Sequence, residues 1–544
     1  MDRHEQRMVQ FLSRPASYPH PVGNMVRRET HVSHVFLAGS FAYKLKKPVK
    51  FPFLDASTLA LRKKFCLLEL SLNRRLAPAV YLGVVPIVET RDGLRLGPST
   101  RPDGLARDAA RRDAPDGHQG SGRVVEWLVK MRRLPEEKML HRLVAQCRVS
   151  RRDMVEIADR LIPFFRRAAR SRAIDRYGIP AQVAALVLGN LEECRPFIGS
   201  LLADPDRLFI KAAYRQHLTL HEPVLAQRVR ERRIIDGHGD LRCENICMSK
   251  PVSIFDCVEF EPAFRCADIA NDFSFLVMDL EFRGRDDLAA ALLARYRQRF
   301  HDPTFGLVLS FYKCHRSLVR GKVRGFAWLQ HPAIPSGRRI RALSRKHFRL
   351  AARYAREFAP PRLVVVGGLI GAGKSTLARS LAEGLGATWL RSDEIRLRDF
   401  AHARRRHQGF GEGIYAPHVS ELVYQRMIRR AEALVREGHS VVCDGTFSKA
   451  AGRAVLRDIA MRHSASFHFF ECVVPRAVAL RRIATRFAGK TDISEARPEH
   501  YDRLKSGFEP VRGWSARDWT PLSDNRLPQQ TYQAALHALR RAWL

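Results

Sequence analysis

Two segments between Thr30 and Val88 of the chain are rich in apolar residues. The segments HVSHVFLAGSFAYKLKKPVKF and VYLGVVPIVE have patterns that predict strands, and LRKKFCLLELSLNRRL between them predicts a helix. Residues 99–123 are rich in Gly, Pro, Asp and Arg, so we interpret them as a mobile loop. RVVEWLVKMRRLP then predicts a further strand.

Helical periodicity dominates residues 150–233 and 268–355. The segment REFAPPR, residues 356–362, ends this region because its two prolines cannot continue a helix. Apolar runs that predict buried strands then alternate with helical patterns, as in a parallel α/β sheet. We therefore predict one domain over residues 1–355 and a second over 362–544.

Composition adds a strong positive charge to this picture. The chain has 544 residues, 45% of them apolar, and a formal charge of +38, which favours anionic ligands. Nucleic acid is an alternative partner, and solvated arginine faces are the simpler explanation. The start MDRHEQRMVQFL lacks the apolar core of a signal peptide, no stretch approaches about 20 apolar residues, and the ten cysteines are irregularly spaced. We expect a cytoplasmic protein that does not act at a membrane.

The segment GGLIGAGKST, residues 367–376, satisfies the phosphate-loop pattern G-x-x-x-x-G-K-[ST] between a predicted strand and a predicted helix. In such a loop backbone N–H groups surround phosphates, the lysine reaches the outer phosphates, and the hydroxyl after it binds Mg²⁺. The sequence thus predicts ATP and Mg²⁺ as cofactors. The predicted binding residues are Gly368, Gly371, Gly373, Lys374, Ser375 and Thr376.

Further polar residues of the second half follow predicted strands. TWLRSDEIR predicts a strand that ends in Ser392, Asp393 and Glu394, and HSVVCDGTF predicts a buried strand that ends in Asp444. Both Asp393 and Asp444 would then lie near the carboxyl edge of a parallel sheet, where such folds bind ligands. We predict Asp444 as the carboxylate associated with Mg²⁺, and a lid of arginines that neutralises the transferred phosphoryl group, namely Arg481, Arg482 and Arg486. The alternatives are that Asp393 is a helix N-cap, that Asp444 is a turn residue and that the arginines form a solvated helix face.

Together, the phosphate loop, R-S-D-E-I-R, V-V-C-D-G-T-F and the arginine-rich segment resemble the AAA_33/zeta-toxin-like group of small P-loop kinases, akin to polynucleotide and gluconate kinases. The resemblance implies that Asp393 orients or activates the acceptor hydroxyl. Acceptors differ among these kinases, so no particular substrate is implied.

The first half contains IIDGHGDLRCENI, residues 234–246, in which His238, Asp240 and Asn245 reproduce H-x-D-x-x-x-x-N. This is the catalytic-loop spacing of protein-kinase-like phosphotransferases, in which the Asp accepts the substrate hydroxyl proton and the Asn holds a metal ion. Asp256, eleven residues after Asn245, is placed like a second metal-binding carboxylate. The alternative is a polar turn whose side chains cap the local backbone.

Protein-kinase-like phosphotransferases use a lysine to hold the nucleotide phosphates and a glutamate to orient that lysine. Lys44, on a predicted strand, and Glu69, on the following predicted helix, match this pair. Lys46 and Lys47 are rivals for this lysine, and Lys46 would share the strand face of Lys44.

With HGDLRCENI, IFDCVEF and ADIANDFSFLVMDL, this half resembles the aminoglycoside-phosphotransferase/choline-kinase-like family, and in particular the half that bacterial bifunctional proteins fuse to a P-loop domain. The resemblance implies an α+β protein-kinase-like fold, ahead of the α/β P-loop NTPase domain with its parallel sheet. Two features depart from the family: Arg242 replaces the second His of H-G-D-L-H, and the Gly-rich nucleotide loop of protein kinases is missing.

We therefore expect a cytoplasmic enzyme with two ATP-dependent phosphotransferase domains, which act on a small-molecule or nucleotide-like hydroxyl acceptor. Two further hypotheses stay open. In one, the first half is a non-catalytic regulator of the P-loop kinase, and in the other the chain is a basic kinase that processes nucleic-acid ends.

Overall fold

The computed structural model describes residues 3–51, 54–100, 122–330, 335–400, 413–489, 497–523 and 527–543. Most of the predicted loop at 99–123 lies outside these residues. The strands are β1 (Met25–Glu29), β2 (Ser33–Ala38), β3 (Phe41–Lys46), β4 (Lys50–Phe51), β5 (Leu54–Asp55), β6 (Tyr81–Thr90), β7 (Gly93–Leu96), β8 (Arg123–Arg132), β9 (Ile234–Asp236), β10 (Ile246–Cys247), β11 (Ser253–Ile254), β12 (Cys266–Asp268), β13 (Arg362–Gly368), β14 (Thr388–Arg391), β15 (Val441–Asp444), β16 (Ser466–Val473) and β17 (Trp519–Ser523).

The helices of the described residues run over most of the remaining chain. They are α1 (Arg3–Leu12), α2 (Leu59–Arg74), α3 (Leu140–Ala145), α4 (Arg151–Arg167), α5 (Arg172–Asp175), α6 (Pro180–Glu192), α7 (Asp204–Leu220), α8 (Glu222–Arg230), α9 (Pro262–Arg265), α10 (Ile269–Phe282), α11 (Asp286–Arg299), α12 (Phe305–Gln330), α13 (Pro335–Phe358), α14 (Lys374–Leu385), α15 (Ser392–Phe400), α16 (Pro417–Arg436), α17 (Ala450–Arg462), α18 (Arg476–Gly489), α19 (Tyr501–Ser506) and α20 (Pro528–Trp543).

The chain divides into two compact units. Unit 1 comprises Met1–Ile179 and Arg228–Arg316, and unit 2 comprises Pro180–Gln227 and Ser317–Leu544. The predicted change of structure at residues 356–362 is confirmed locally, because α13 ends at Phe358 and β13 begins at Arg362. It does not coincide with this division, however, since part of the helical middle of the chain groups with the P-loop region. The domains 1–355 and 362–544 stay a prediction.

Unit 1 contains a six-stranded antiparallel sheet in the order β1-β2-β3-β8-β6-β7. Side chains alternate between its faces: Tyr43 and Leu45 pack in a core with α1, whereas Ala42 packs in a core with α2. The same alternation places Lys44 and Lys46 on the face covered by α2. The predicted strand, helix and strand pattern of residues 30–90 is thus confirmed.

The rest of unit 1 is largely helical. Helix α10 is buried along almost its whole length, and its Phe273 packs against Phe165 of α4 and Tyr296 of α11. Short antiparallel pairs, β9 with β12 and β10 with β11, flank the segment from Gly237 to Asn245. This polar segment therefore lies between two strand pairs next to an apolar helix.

Unit 2 contains a five-stranded parallel sheet in the order β14-β15-β13-β16-β17. One face packs against α16 and α17, and the other packs against α14 and α20. Strand β13 is fully buried and central, so the segment that follows it leaves the sheet at its carboxyl edge. The predicted parallel sheet of an α/β P-loop domain is confirmed.

Polar contacts attach α7 to this P-loop region within unit 2. The Thr219 hydroxyl donates to Gly384 O at 2.6 Å, and the Gln216 amide donates to Pro360 O at 2.9 Å. The Ser440 hydroxyl in turn donates to Gln216 Oε1 at 2.7 Å. An amphipathic pattern shows which face of a helix is buried but not its partner, so this grouping was not visible in the sequence.

Two further properties concern the length of the helices and the state of the cysteines. Within the described residues, no helix combines the length and apolar character that a membrane crossing requires. All ten cysteines are free thiols, and nine of them are buried.

Candidate functional site

The phosphate loop of unit 2 connects β13 to α14 in a conformation that requires glycine. Gly368 has φ +131°, and a Cβ there would lie 2.3 Å from Cys472 O. Gly371 has φ +75°, and a Cβ there would lie 2.7 Å from Ala479 O. Gly373 ends the loop immediately before the first residue of α14. At Gly368 and Gly371 the loop therefore approaches its neighbours through backbone alone, as the predicted phosphate-binding role requires.

Lys374 and Ser375 begin α14 beside the buried carboxylate of Asp444. Lys374 Nζ donates to Leu369 O at 2.9 Å within the loop, and the Ser375 hydroxyl donates to Asp444. Burial raises the pKa of Asp444, while the Lys374 charge and the Ser375 hydrogen bond oppose this shift. Thr376, the last predicted residue of the loop, is exposed. The structure thus brings the predicted phosphate and Mg²⁺ residues together.

Asp393 lies within the first turn of α15, after the strand β14 that pairs with β15. It lies inside the helix rather than at its N-cap. Its charge contributes to the raised pKa of Asp444, so the two carboxylates are neighbours. Arg391, which was not predicted as a site residue, places Nε 3.7 Å from Asp444 Oδ2. Its sequence signal is the first letter of R-S-D-E-I-R.

The predicted arginine lid lies on α18. This helix contacts the phosphate loop through Ile370, which packs with Ala479 and Ile483. Arg481 is exposed and Arg482 is half-buried, whereas the side chain of Arg486 lies outside the described part of the chain. The lid role of these arginines stays a prediction.

A tyrosine that the sequence did not single out anchors the segment after Asp444. The Tyr424 hydroxyl accepts the backbone N–H groups of Thr446 at 2.8 Å and Phe447 at 3.2 Å. Phe447 has φ +46°, a backbone conformation that residues other than glycine seldom adopt. Tyr424 therefore stabilises a strained turn beside the predicted metal carboxylate.

In unit 1, Lys44 lies between two carboxylates from separate parts of the chain. Its Nζ donates to Glu69 Oε1 at 2.8 Å and to Asp256 Oδ1 at 2.9 Å. Burial alone would lower the pKa of Lys44, but these carboxylates raise it well above its usual value. Glu69 is fully buried, whereas the Asp256 side chain is 47% exposed. The Asp256 carboxylate is therefore accessible to a ligand.

Lys46 forms a second pair with the same glutamate. Its Nζ donates to Glu69 Oε2 at 2.7 Å and also to Glu259. Burial opposes ionisation of Glu69, but Lys44 and Lys46 together lower its pKa to about 2. Residues two apart on a strand share a face, so both lysines of β3 reach Glu69. Of the two, Lys44 also contacts the exposed carboxylate of Asp256.

Asp240 and Asn245 are in direct contact. Asn245 Nδ2 donates to Asp240 Oδ2 and to Asp240 O, both at 2.9 Å. Arg242 also donates to both carboxylate oxygens of Asp240, from Nε at 2.7 Å and from Nη2 at 2.8 Å. Arg242, which replaces the second His of the family pattern H-G-D-L-H, thus forms a bidentate pair with the predicted catalytic carboxylate.

Buried carboxylates of α10 hold this loop in place. Asp272 accepts the backbone N–H groups of His238 at 2.7 Å and Gly239 at 2.9 Å, and Asp279 accepts that of Cys243 at 3.0 Å. These residues were not predicted as part of the site, although two aspartates in the apolar segment ANDFSFLVMDL were a usable signal.

Backbone hydrogen bonds align the Asp256 segment with the Asp240 loop. Phe255 N donates to Asn245 O at 3.0 Å, and Val258 N donates to His238 O at 3.1 Å. Because Asp256 also contacts Lys44, the structure brings all five predicted residues of the first half into one region of unit 1, namely Lys44, Glu69, Asp240, Asn245 and Asp256.

The donor groups of both regions fit Mg²⁺ in the presence of a nucleotide. The described residues include no group of three or more His, Cys, Asp or Glu side chains placed to hold a metal ion. The predicted metal residues instead combine a carboxylate with a neutral side chain, Asp444 with Ser375 in unit 2 and Asp256 with Asn245 in unit 1. Mg²⁺ commonly binds one or two carboxylates together with substrate phosphates and water, so these sets suffice.

Known proteins similar to the second half of the chain include a protein family and several solved structures. Residues 363–511 match the AAA_33 family, described as an AAA domain. Among solved structures, a sugar kinase from Janibacter sp. HTCC2649 is 21% identical, with 33% of this chain and 95% of that chain covered and a TM-score of 0.27. The Mycobacterium tuberculosis APS kinase is also 21% identical, with 33% and 98% covered and a TM-score of 0.26.

Two mycobacterial relatives match most of the chain. The uncharacterized protein Rv2004c of Mycobacterium tuberculosis is 33% identical over 469 residues, which cover 86% of this chain and 87% of that protein. The uncharacterized protein Mb2027c of Mycobacterium bovis shows the same identity and coverage. The chain therefore belongs to the family of Rv2004c, with an AAA_33 P-loop domain in its second half.

Proposed function

We propose that the chain is an ATP-dependent phosphotransferase with two nucleotide sites, one in each unit. Each site transfers the γ-phosphoryl group to a hydroxyl acceptor. The observation that carries the second site is the contact of Lys44 with both Glu69 and Asp256, in a unit separate from the phosphate loop. A lysine held between a buried and an exposed carboxylate suits the binding of a nucleotide phosphate.

In unit 2, the loop N–H groups bind the phosphates, and Lys374 turns from Leu369 O to the outer phosphates. Ser375 and Asp444 would hold Mg²⁺, which supplies positive charge to the phosphates when bound. Asp393 orients the acceptor hydroxyl and accepts its proton. The acceptor oxygen forms a bond to the γ-phosphorus as the bond to the bridging oxygen breaks, and ADP leaves.

In unit 1, Lys44 contacts the nucleotide phosphates while Lys46 continues to hold Glu69. Asn245 and Asp256 would hold the metal ion. Asp240 accepts the proton of the acceptor hydroxyl, in the aminoglycoside-phosphotransferase/choline-kinase-like manner that the sequence predicts.

A second function is favoured by one observation, the bidentate pair between Arg242 and Asp240. A guanidinium that donates to both carboxylate oxygens pairs with the charge of Asp240 and occupies the space beside it. In this alternative, unit 1 binds nucleotide without phosphotransfer and regulates the P-loop kinase.

The role of Asp393 is testable in the full chain. Incubation with γ-labelled ATP and a mixture of hydroxyl compounds identifies an acceptor that becomes labelled. We expect Asp393→Asn to lower the turnover of that acceptor about 100-fold, because Asn still hydrogen-bonds the hydroxyl but takes no proton. Nucleotide affinity, measured by calorimetry, stays within about twofold because Asp393 is not part of the phosphate loop.

Glu394→Gln is the matched control, since Glu394 lies next to Asp393 in the same helical turn and its side chain is 58% exposed. It should leave turnover unchanged. Turnover of Asp393→Asn at the wild-type rate would end the proposed role, and lost nucleotide binding would assign Asp393 to the metal site instead.

A further inference from the structure

Helix α13 of unit 2 carries an exposed face of positive charge that neither phosphotransfer site uses. Its 24 residues contain one acidic residue, Glu357. The exposed cations of the helix are Arg338, Arg339, Arg341, Lys346, Arg349, Arg353 and Arg356. We call this set the α13 basic face.

The spacing of these residues makes the face continuous. Together with the half-buried Arg345, arginines of the face recur every three or four positions at 338, 341, 345, 349, 353 and 356, which places them along one side of the helix. The other side is buried, with Ala351, Tyr354 and Ala355 in the core of unit 2. The row spans about 27 Å at a rise of about 1.5 Å per residue. A nucleic-acid strand with a phosphate every ~3.4 Å would place about eight phosphates along it.

Features beside the face suit nucleotides. Arg345 and Arg349 line a cavity of about 210 Å³, and Arg345 Nε donates to Ser200 O at 3.0 Å at its edge. The cavity is large enough for a phosphate group, and its lining also includes Asp206, which pairs with Arg356 at 3.5 Å. The Arg341 guanidinium lies 5.5 Å from the ring centre of the half-buried Trp328. Aromatic rings next to cations are a common platform for bases.

The chemistry of the face favours nucleic acid over a lipid surface. Helices that lie in a membrane interface insert large apolar side chains beside their cations. The exposed positions of α13 from Arg338 to Glu357 carry arginine, lysine, alanine and glutamate, without a large apolar residue. The face therefore offers charge without the apolar anchors that a bilayer requires.

We propose that the α13 basic face binds the phosphate backbone of nucleic acid without reading base sequence. This binding goes beyond the two phosphotransfer sites and does not depend on their activity. It gives a function to part of the large positive charge of the chain.

The test uses the full chain and a fluorescein-labelled thymidine 20-mer, with anisotropy measured over a salt series. The variant carries Arg338→Gln, Arg349→Gln and Arg353→Gln, since glutamine keeps helix propensity. We expect the dissociation constant to rise at least tenfold at about 100 mM salt. The slope of log affinity against log salt should fall by about 2, as expected for three lost contacts to a single strand.

Two further variants keep the result decisive. Arg429→Gln, Arg430→Gln and Arg436→Gln remove the same charge from exposed positions of α16 and should change affinity less than about twofold. Arg338→Lys, Arg349→Lys and Arg353→Lys preserve charge and should together keep affinity within about threefold. Three results would each overturn the proposed surface. They are failure of the wild type to bind the oligonucleotide, equal weakening of binding by both glutamine triples, and binding of the chain to phosphatidylglycerol vesicles in place of the oligonucleotide.

Discussion

Lys374→Ala is expected to weaken ATP binding by unit 2 at least tenfold and to lower its phosphotransfer more than 100-fold. The ammonium group, which donates to Leu369 O in this structure, would otherwise form a charge-assisted bond to phosphate. Such a bond contributes about 1.5–3 kcal/mol, or roughly 10- to 150-fold in affinity. The additional loss in rate reflects charge that develops on the transferred group. Calorimetry and labelled-ATP transfer measure the two effects separately.

Lys505→Ala is a suitable control because Lys505 is an exposed lysine of the same unit, on α19. Its removal should alter neither ATP affinity nor transfer. Wild-type ATP affinity and transfer in Lys374→Ala would contradict the phosphate-loop assignment.

Asp240→Asn is expected to lower phosphotransfer by unit 1 about 100-fold or more, measured in a chain that also carries Lys374→Ala. The amide has nearly the shape of the carboxylate and still contacts Asn245, but it cannot accept the hydroxyl proton. Nucleotide affinity should change less than about threefold, because Lys44 and Asp256 are intact.

The control is Asp159→Asn, since Asp159 is an exposed aspartate of unit 1. Equal transfer by Asp240→Asn and its parent chain would exclude Asp240 as the base. If the Lys374→Ala parent binds ATP but transfers no phosphate at all, unit 1 acts as the regulator of the alternative function.

The phosphate loop of unit 2 was predictable because its information is local. Ten consecutive residues define the turn, and the flanking apolar patterns define its strand and helix. The position of Asp444 followed from the rule that parallel strands end at one edge of a sheet. Its contact with Ser375 agrees with that rule.

The region in unit 1 was harder to predict because its parts are distant in sequence. Lys44 and Asp256 are 212 residues apart, and only a spacing pattern placed them in one site. The sequence showed that Lys44 and Lys46 share a strand face, but not that both donate to Glu69. The Lys46 contact with Glu259 depends on the tertiary position of the segment after Asp256.

The contacts of several other residues could not be predicted from the sequence. The Arg242 substitution was visible, but its bidentate pair with Asp240 depends on the side-chain conformation of the loop. Helix α7 showed only amphipathic periodicity, and its contact with Gly384 follows from shape and hydrogen bonding in unit 2. The hydroxyl of Tyr424 reaches a turn 22 residues later, at Thr446, which a helical pattern does not reveal.

The stoichiometry of nucleotide binding tests the central claim of two sites most directly. Equilibrium dialysis with a non-hydrolysable ATP analogue and Mg²⁺ should give two bound molecules per wild-type chain. At analogue concentrations near the wild-type dissociation constants each intact site is about half filled. Lys374→Ala and Lys44→Ala should then each bind about half as much analogue as the wild type, and the double variant about a fifth as much or less. A single bound molecule in the wild type that Lys374→Ala eliminates would contradict a nucleotide site in unit 1.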